Sequence, residues 1–270
     1  MLRYPGGKSK IKTPILNKLN YLFNKYPSHE YREPFFGGGS IGLELIKNSN
    51  IFKIWINDID KGISSIWNSI IFFHNDLIHL VNSFIPTVDS FWEFKNYFLN
   101  LNDYAILEAG FRKIAIHQIS YSGLGVKSGS PLGGSKQESK YKIDCRWSPR
   151  KITKDIIEYN VLLNTKQLRC GYCSNFDFEK LILDNKYNSI IYLDPPYFQK
   201  GNELYQFGLS NEDHIRLNNL LKETKHKWVL SYDDCEYIRN LYSWAKIEEM
   251  EMKATINSVR DKTELLILSE

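Results

Sequence analysis

Apolar residues recur along this chain in two rhythms. At Ile11, Ile15, Leu16, Leu19 and Leu22 they fall at helical spacing, giving a helix with one buried stripe. At Ser189-Ile190-Ile191-Tyr192-Leu193 they form a short, nearly continuous run rich in β-branched and aromatic side chains, which predicts a buried strand. The same reading places strands at 51–56, 169–174, 228–231 and 265–268, with a shorter one near Ile247. Helices are expected through Ile41, Leu43, Leu45 and Ile46, over most of 61–120, at 152–168 and at 178–183. Within 61–120, Trp67, Phe72, Phe73, Leu77 and Leu80 make one apolar face, and Phe91, Phe94, Phe98 and Leu101 another. A further helix through Ile215, Leu217, Leu220 and Leu221 follows the capping box Ser210-Asn211-Glu212-Asp213. Strands alternating with helices predict a parallel α/β sheet, interrupted by a helical section between its second and third strands.

The strand 189–193 runs straight into Asp194-Pro195-Pro196-Tyr197. That puts a carboxylate where a strand leaves the sheet, the edge at which open α/β sheets bind ligands. The prolines fix φ and remove N–H groups, giving a stiff extended turn. A carboxylate and a backbone carbonyl can each accept one hydrogen of an amino group, and Tyr197 can stack on a flat ring. Alone, Asp-Pro-Pro reads equally well as a rigid turn. It gains meaning only beside a matching cofactor site.

Such a site is present in outline. Glu33-Pro34-Phe35-Phe36-Gly37-Gly38-Gly39-Ser40 precedes a helix, so its glycines permit a tight turn and close ligand approach at a helix N-terminus. About 20 residues on, the next strand ends in Asn57-Asp58-Ile59-Asp60, the position of ribose-holding acids in nucleotide sites. Asp58 is the candidate for the ribose hydroxyls; Asp60 competes with it or caps the next helix. Near the start, Gly6-Gly7 followed by Lys8 offers either an anion contact or an exposed lysine on a flexible tail.

Composition adds little to this outline. The chain has 270 residues, 43% hydrophobic and 24% charged, with net charge +4, enough for one large domain or one with a sizeable insert. The mild basic excess permits nucleic-acid binding without requiring it. It is concentrated after the turn-rich segment 128–135, where Lys136, Lys140, Lys142, Arg146, Arg150 and Lys151 are mixed with Tyr141 and Trp147. Basic residues interleaved with aromatics on a loop or hairpin suit a nucleic-acid surface, the bland alternative being a solvated loop. No apolar leader opens the sequence, and the most apolar stretch, 63–81, is broken by polar residues, so a cytoplasmic protein is expected. Of Cys145, Cys170, Cys173 and Cys235, only Cys170 and Cys173 have ligand spacing, and reduced thiols fit better than a metal site.

Taken in order, these motifs resemble the Dam-type DNA adenine-N6 methyltransferases of the D12 class, alpha group. Tyr4-Pro5-Gly6-Gly7-Lys8 is similar to their opening aromatic-x-Gly-Gly-Lys, 33–40 to their Phe-x-Gly-x-Gly cofactor loop, and Asn57-Asp58-Ile59 to their acidic strand end. Cys173-Ser174-Asn175-Phe176 looks like the strand end whose aromatic flanks the cofactor adenine, and Asp194 to Tyr197 is their catalytic Asp-Pro-Pro-Tyr. The resemblance covers nearly the whole chain. It implies a Rossmann-like methyltransferase sheet with helices on both faces. Residues 1–60 and 165–270 would form the cofactor-binding catalytic domain, and 61–164 an inserted, mainly helical target-recognition domain with a basic hairpin or loop.

The resemblance also implies S-adenosylmethionine as cofactor, leaving as S-adenosylhomocysteine, with no metal. Carried over by position, Tyr4, Lys8, Asp58 and Asp194 contact it, while Phe35, Gly37, Gly39 and Phe176 shape its pocket. Asp194 with Pro195, Pro196 and Tyr197 forms the catalytic group, holding the amine of an adenine flipped out of duplex DNA. Tyr121, Ser122, Leu124, Lys127, Lys136, Lys140 and Arg146 are the expected DNA contacts, with Tyr121 or Leu124 filling the gap in the base stack. A bacterial or phage origin, a monomer or weak dimer, and a cognate restriction endonuclease as partner fit the group. Tyr121-Ser122-Gly123-Leu124 and Pro131-Leu132-Gly133 echo its Tyr-Asn-Gly-Leu and Pro-Phe-Gly. However, His117-Gln118 replace its usual Asn-Arg, and Val126-Lys127 stand where an Arg is expected. Arg is the usual reader of guanine, so GATC, the group's common target, does not carry over with the other motifs. A cytosine-N4 methyltransferase, an RNA or protein methyltransferase and a non-catalytic DNA-binding module are the competing readings.

Overall fold

The apolar runs assemble into the middle of a sheet. The computed structural model describes residues 8, 11–101, 104–199, 201–252 and 262–269. In chain order these form α1 (Lys12–Lys25), β1 (Glu30–Glu33), α2 (Gly42–Lys47), β2 (Lys53–Ile56), α3 (Lys61–Phe72), α4 (His74–Ser83), α5 (Val88–Leu99) and α6 (Ile106–Ile119). Two 3-10 turns follow, Tyr121–Gly123 and Gly125–Lys127, then α7 (Pro149–Asn164), β3 (Gln167–Leu168), α8 (Phe178–Leu183), β4 (Ser189–Leu193) and α9 (Gly201–Leu204). The last elements are α10 (Asn211–Glu223), β5 (Lys227–Asp233), α11 (Glu236–Leu241), β6 (Lys246–Met252) and β7 (Lys262–Leu268).

The seven strands lie in the order β3-β2-β1-β4-β5-β7-β6. β1 pairs in parallel with β2 on one side and β4 on the other. The chain therefore winds outward in one direction through β2 and β3, and in the other through β4 and β5. Between β1 and β4 the winding reverses, and such a switch point leaves a crevice beyond the C-terminal strand ends. Glu33 pairs with Ile56, and Arg32 with Ile191, so the loops after β1, β2 and β4 share that edge.

Successive residues of each strand feed two cores. Ile190 and Tyr192 join Tyr31, Ile54, Ile56, Val229 and Leu266 under α1, α3, α6 and α7. Ile191 and Leu193 join Leu230, Tyr232, Leu265 and Ile267 under α8 and α10. The sheet is thus covered by helices on both faces, a Rossmann-like arrangement. Each fully buried Ile or Leu contributes about 1.5–3 kcal/mol, so β4, buried along its whole length, anchors the fold. The helices of the 61–164 section share the first core with the sheet rather than forming one of their own.

Several expectations need correction. The sheet is not wholly parallel, because β7 runs antiparallel to both β5 and β6. β6 is a full strand of seven residues; its Glu248 and Glu249 mark it as a charged sheet edge. The strand expected at 169–174 is broken: the ladder stops at Leu168, the chain turns through Gly171 with φ +76°, and pairing resumes only at the Asn57–Ser174 bridge. The helix expected to Leu168 ends at Asn164. The apolar face through Phe72 and Phe73 dissolves at a kink between α3 and α4, where both rings are exposed. Ile215, placed on a buried stripe by its spacing, is also exposed on α10, although the Ser210–Asp213 capping box forms as read.

Candidate active site

A cavity of about 460 Å³ opens at the switch point. Its walls are the loop 33–41, the β2 end at 58–60, residues 176–178, Asp194, Pro196 and the segment 205–209. The size suits a small-molecule ligand. Gly37 and Gly39 stand at φ +47° and +66°, where side-chain-bearing residues are strained, and this lets the loop curl under the cavity. The Gly37 amide donates to Asp58 Oδ2 at 2.8 Å, and its carbonyl accepts from Trp67 Nε1 at 2.9 Å.

Asn57 ties three strand ends together. Its Nδ2 donates to the Pro34 and Phe176 carbonyls, each at 2.9 Å, and its Oδ1 accepts from Phe176 N and the Ser174 hydroxyl. These bonds place Phe176, 36% exposed, against the cavity. Phe35 packs against Phe178 on the same wall, with ring centroids 5.6 Å apart. The two acids after β2 separate as the sequence allowed. Asp58 lines the cavity and accepts from Gly37 N and Asp60 N. Asp60 caps α3 through Gly62 N and pairs with Lys113. Burial first, then the neighbouring Asp60 charge, pushes the Asp58 carboxyl up to about 7. Glu33, at the end of β1, is buried on the cavity floor and accepts from the Tyr31 hydroxyl at 2.6 Å; burial holds its carboxyl well above the usual range.

Asp194 lines the cavity with a side-chain exposure of 24%. Lys8, only 3% exposed, places its ammonium 2.9 Å from Asp194 Oδ1 and 3.5 Å from Glu264 on β7, and donates to the Tyr197 hydroxyl. Tyr197 donates to Glu264 at 2.8 Å, and Ser231 on β5 donates to Asp194 Oδ1 at 3.0 Å. Burial holds the Tyr197 phenol well above its ordinary value, so it stays protonated and donates. Pro195 is buried and Pro196 lines the cavity, while Tyr197 turns to the Lys8–Glu264 group rather than into the cavity wall. Asp233 fixes the exit of this turn by accepting from Phe198 N and Gln199 N. Tyr4 lies outside the described residues.

The expected DNA contacts gather on one loop system at the end of α6. Tyr121 is 60% exposed, and Ser122 beside it holds φ +55°, a conformation rare without a glycine. The turn is held by Gly125 N on Ser120 Oγ, by Tyr121 N on the Ser130 carbonyl and by the Ser120–Pro131 bridge. Leu124 is half-buried, Lys127, Lys136 and Lys140 are exposed, and Arg146 is intermediate. No hairpin forms among the described residues here. Instead, the Gln137 side chain pins the segment to Leu132, Gly134 and Ile143, so the basic stretch is a braced loop.

Comparison with known proteins decides what this arrangement belongs to. Residues 4–256 match the family model of the D12 class N6 adenine-specific DNA methyltransferases. The chain belongs to that family. It is an enzyme that methylates adenine N6 in DNA site-specifically. It is similar to the Type II methyltransferase M.MjaIII of Methanocaldococcus jannaschii, 24% identical over 302 aligned positions that cover 99% of this chain and 98% of the relative. It is also similar to the Type II methyltransferase M.CviBI of Paramecium bursaria Chlorella virus NC1A, 31% identical over 95 residues, 35% of each chain. No helix among the described residues is long and apolar enough to cross a membrane.

A methyltransferase of this family uses S-adenosylmethionine, and the cavity fits that molecule. Asp58 and Glu33 are buried acids facing a space that a cationic ligand with ribose hydroxyls would fill, and Phe35 and Phe176 offer flat apolar walls. Sequence reasoning named Asp58, Phe35, Gly37, Gly39, Phe176 and Asp194 as candidates, and the structure gathers them around one cavity. It missed Glu264, Ser231 and the wall 205–209. Of these, only the aromatics Tyr205 and Phe207, a short step beyond Asp194, carried a sequence signal.

The Asp58 carboxyl sets a pH dependence. In the cofactor-free protein its folded value lies above the unfolded one. Between about pH 4 and about 7 the native state binds the proton more tightly, and stability from this group falls as pH rises through that window. Ribose hydroxyls donate to the ionised form, so ligand binding has the opposite sign. Calorimetric titration with S-adenosylhomocysteine is expected to show affinity weakening by up to about tenfold per unit below pH 7, with proton release on binding. A flat profile would remove Asp58 from the ligand.

Proposed function

We propose that this enzyme binds S-adenosylmethionine between the loop 35–39, Asp58 and Phe176, and methylates an adenine swung out of double-stranded DNA onto Asp194 and Pro195. The observation that carries this reading is the position of Asp194. It lines the cavity, partly exposed, on the rigid proline turn, with its contacts among the described residues falling on Oδ1. That leaves Oδ2 to accept one N6 hydrogen, and the Pro195 carbonyl the other.

An adenine amine is a poor nucleophile because its lone pair is delocalised into the ring. Accepting both hydrogens draws the nitrogen towards a tetrahedral shape and localises that lone pair. S-adenosylmethionine, when bound, supplies the electrophilic methyl group for direct transfer. Lys8, Ser231 and Glu264 hold the Asp194 carboxylate still, so no reorganisation is needed as charge develops. Tyr197, expected from the sequence to stack on the base, instead lies under the Lys8 ammonium and braces it together with Glu264. Asp194 is also the group placed to receive the proton that the methylated nitrogen sheds.

Residues 61–164 carry target recognition in this reading. The braced loop presents Tyr121 and Leu124 to the gap left in the duplex, while Lys127, Lys136, Lys140 and Arg146 meet phosphates. The Type II names of both relatives support a role in modification beside an endonuclease of the same specificity. The test is mass spectrometry of nucleosides from unmethylated DNA incubated with the enzyme and S-adenosylmethionine bearing a deuterated methyl group. N6-methyladenine carrying the label is expected. Label on N4-methylcytosine alone would overturn the reading.

A further inference from the structure

Lys113 is a buried cation that the reaction as described does not use. It lies on α6, the helix that leads directly into the recognition loop, and is 2% exposed. Its ammonium is 2.6 Å from Asp60 Oδ2 and 3.4 Å from Gln206 Oε1. Gln206 in turn donates to the Phe98 carbonyl at the end of α5, at 3.3 Å. Asp60 and Gln206 both line the cavity, one on the β2 side and one on the segment after the catalytic turn. The lysine stem passes so close to Gly62 that a Cβ there would stand 2.7 Å from Lys113 Cδ, so the start of α3 is shaped to admit it. Leu124, Val126 and Lys127 of the recognition loop face Leu204, Tyr205 and Gln206 across a narrow crevice, with Lys113 and Asp60 also lining it.

A buried ion pair is a poor source of stability, since apolar residues of like volume do as well. What this one supplies is a fixed junction of three parts: the acidic end of β2, the helix bearing the recognition loop and the segment beyond the active-site turn. We propose that Lys113 is a positioning residue, which acts through Asp60 and Gln206 to hold the segment Tyr205–Leu209 as a wall of the cofactor cavity. The proposal rests on the reading that this cavity holds the cofactor. Gln206 reaches the junction with a neutral amide, so it can be altered while the Lys113–Asp60 pair, and with it the fold, stays intact.

The test uses full-length wild type, Gln206→Leu, Lys113→Met, Lys113→Arg and the Lys113→Met/Gln206→Leu double variant. S-adenosylhomocysteine is titrated into each by calorimetry, and the folded fraction is measured in parallel. Gln206→Leu and Lys113→Met are expected to weaken binding by about fivefold or more, and the double variant no further than Lys113→Met alone. Lys113→Arg, which keeps the cation in a tight site, should bind at least about twofold more tightly than Lys113→Met. A purely structural role would lower the folded fraction without moving the affinity of what folds. Unchanged affinity in Gln206→Leu, or independent and additive losses in the double variant, would overturn the proposal. Wild type that binds no S-adenosylhomocysteine would instead overturn the cofactor reading beneath it.

Discussion

Asp194→Ala abolishes methyl transfer, lowering turnover by about a thousandfold or more, and leaves DNA affinity within about twofold of wild type. The asymmetry follows from where the side chain stands. Asp194 follows the end of β4 and lines the cavity, while the candidate phosphate contacts Lys127, Lys136 and Lys140 are on the loop after α6. In this reading its carboxylate meets only the extruded amine and not the phosphates that dominate affinity, and its removal takes away an acceptor needed as charge develops on the amine. The substitution is not expected to unfold the protein, because the turn is fixed by its prolines and by Asp233 rather than by Asp194. Steady-state turnover and filter binding on the same DNA check both halves. Near-normal turnover would remove Asp194 from the chemistry.

Lys8→Met is the second large effect. The ammonium is nearly fully buried between Asp194 and Glu264, so its loss leaves two carboxylates close together with no cation between them. Breaking a buried pair in this way costs about 3–5 kcal/mol. Turnover should fall by about a hundredfold, with a clear loss of thermal stability. Glu264→Gln alone is expected to do much less, since Lys8 keeps Asp194. The informative variant is the double one. With Glu264→Gln added to Lys8→Met, one of the two uncompensated carboxylates is removed and their mutual repulsion with it, so stability should recover part of the loss, a non-additivity of about 1 kcal/mol or more. Simple additivity in denaturant unfolding would show that the three groups do not act as one electrostatic unit.

The central strand and its turn were legible because β4 is buried on both faces: an unbroken apolar run that stops at a carboxylate and two prolines fits a strand leaving the middle of a sheet and little else. Asp58 was legible from its distance to the glycine loop, and the Ser210 cap from its local pattern. What could not be read depends on contacts distant in sequence. Glu264 sits on an antiparallel strand nearly seventy residues from Tyr197, and nothing in its neighbourhood marks it as a partner of Lys8. The antiparallel course of β7 was hidden too, since alternation of strands and helices predicts direction only while a crossover helix separates each pair. Asn57 looked like part of an acidic motif, yet its amide joins three loops. The α3–α4 kink escaped because helical spacing continues across it while the rings at Phe72 and Phe73 turn outward. Recognition was least legible of all: the loop's shape comes from Ser120, Gln137 and a strained Ser122, none of which announces a base.

The most direct measurement is a crystal structure of the enzyme with a non-reactive cofactor analogue and a duplex it modifies. The account predicts the target adenine outside the helix, its N6 about 3 Å from both the Asp194 carboxylate and the Pro195 carbonyl, with the analogue against Asp58 and Phe176. An adenine still stacked in the duplex, or an amine turned away from Asp194 in a fully occupied complex, would contradict it.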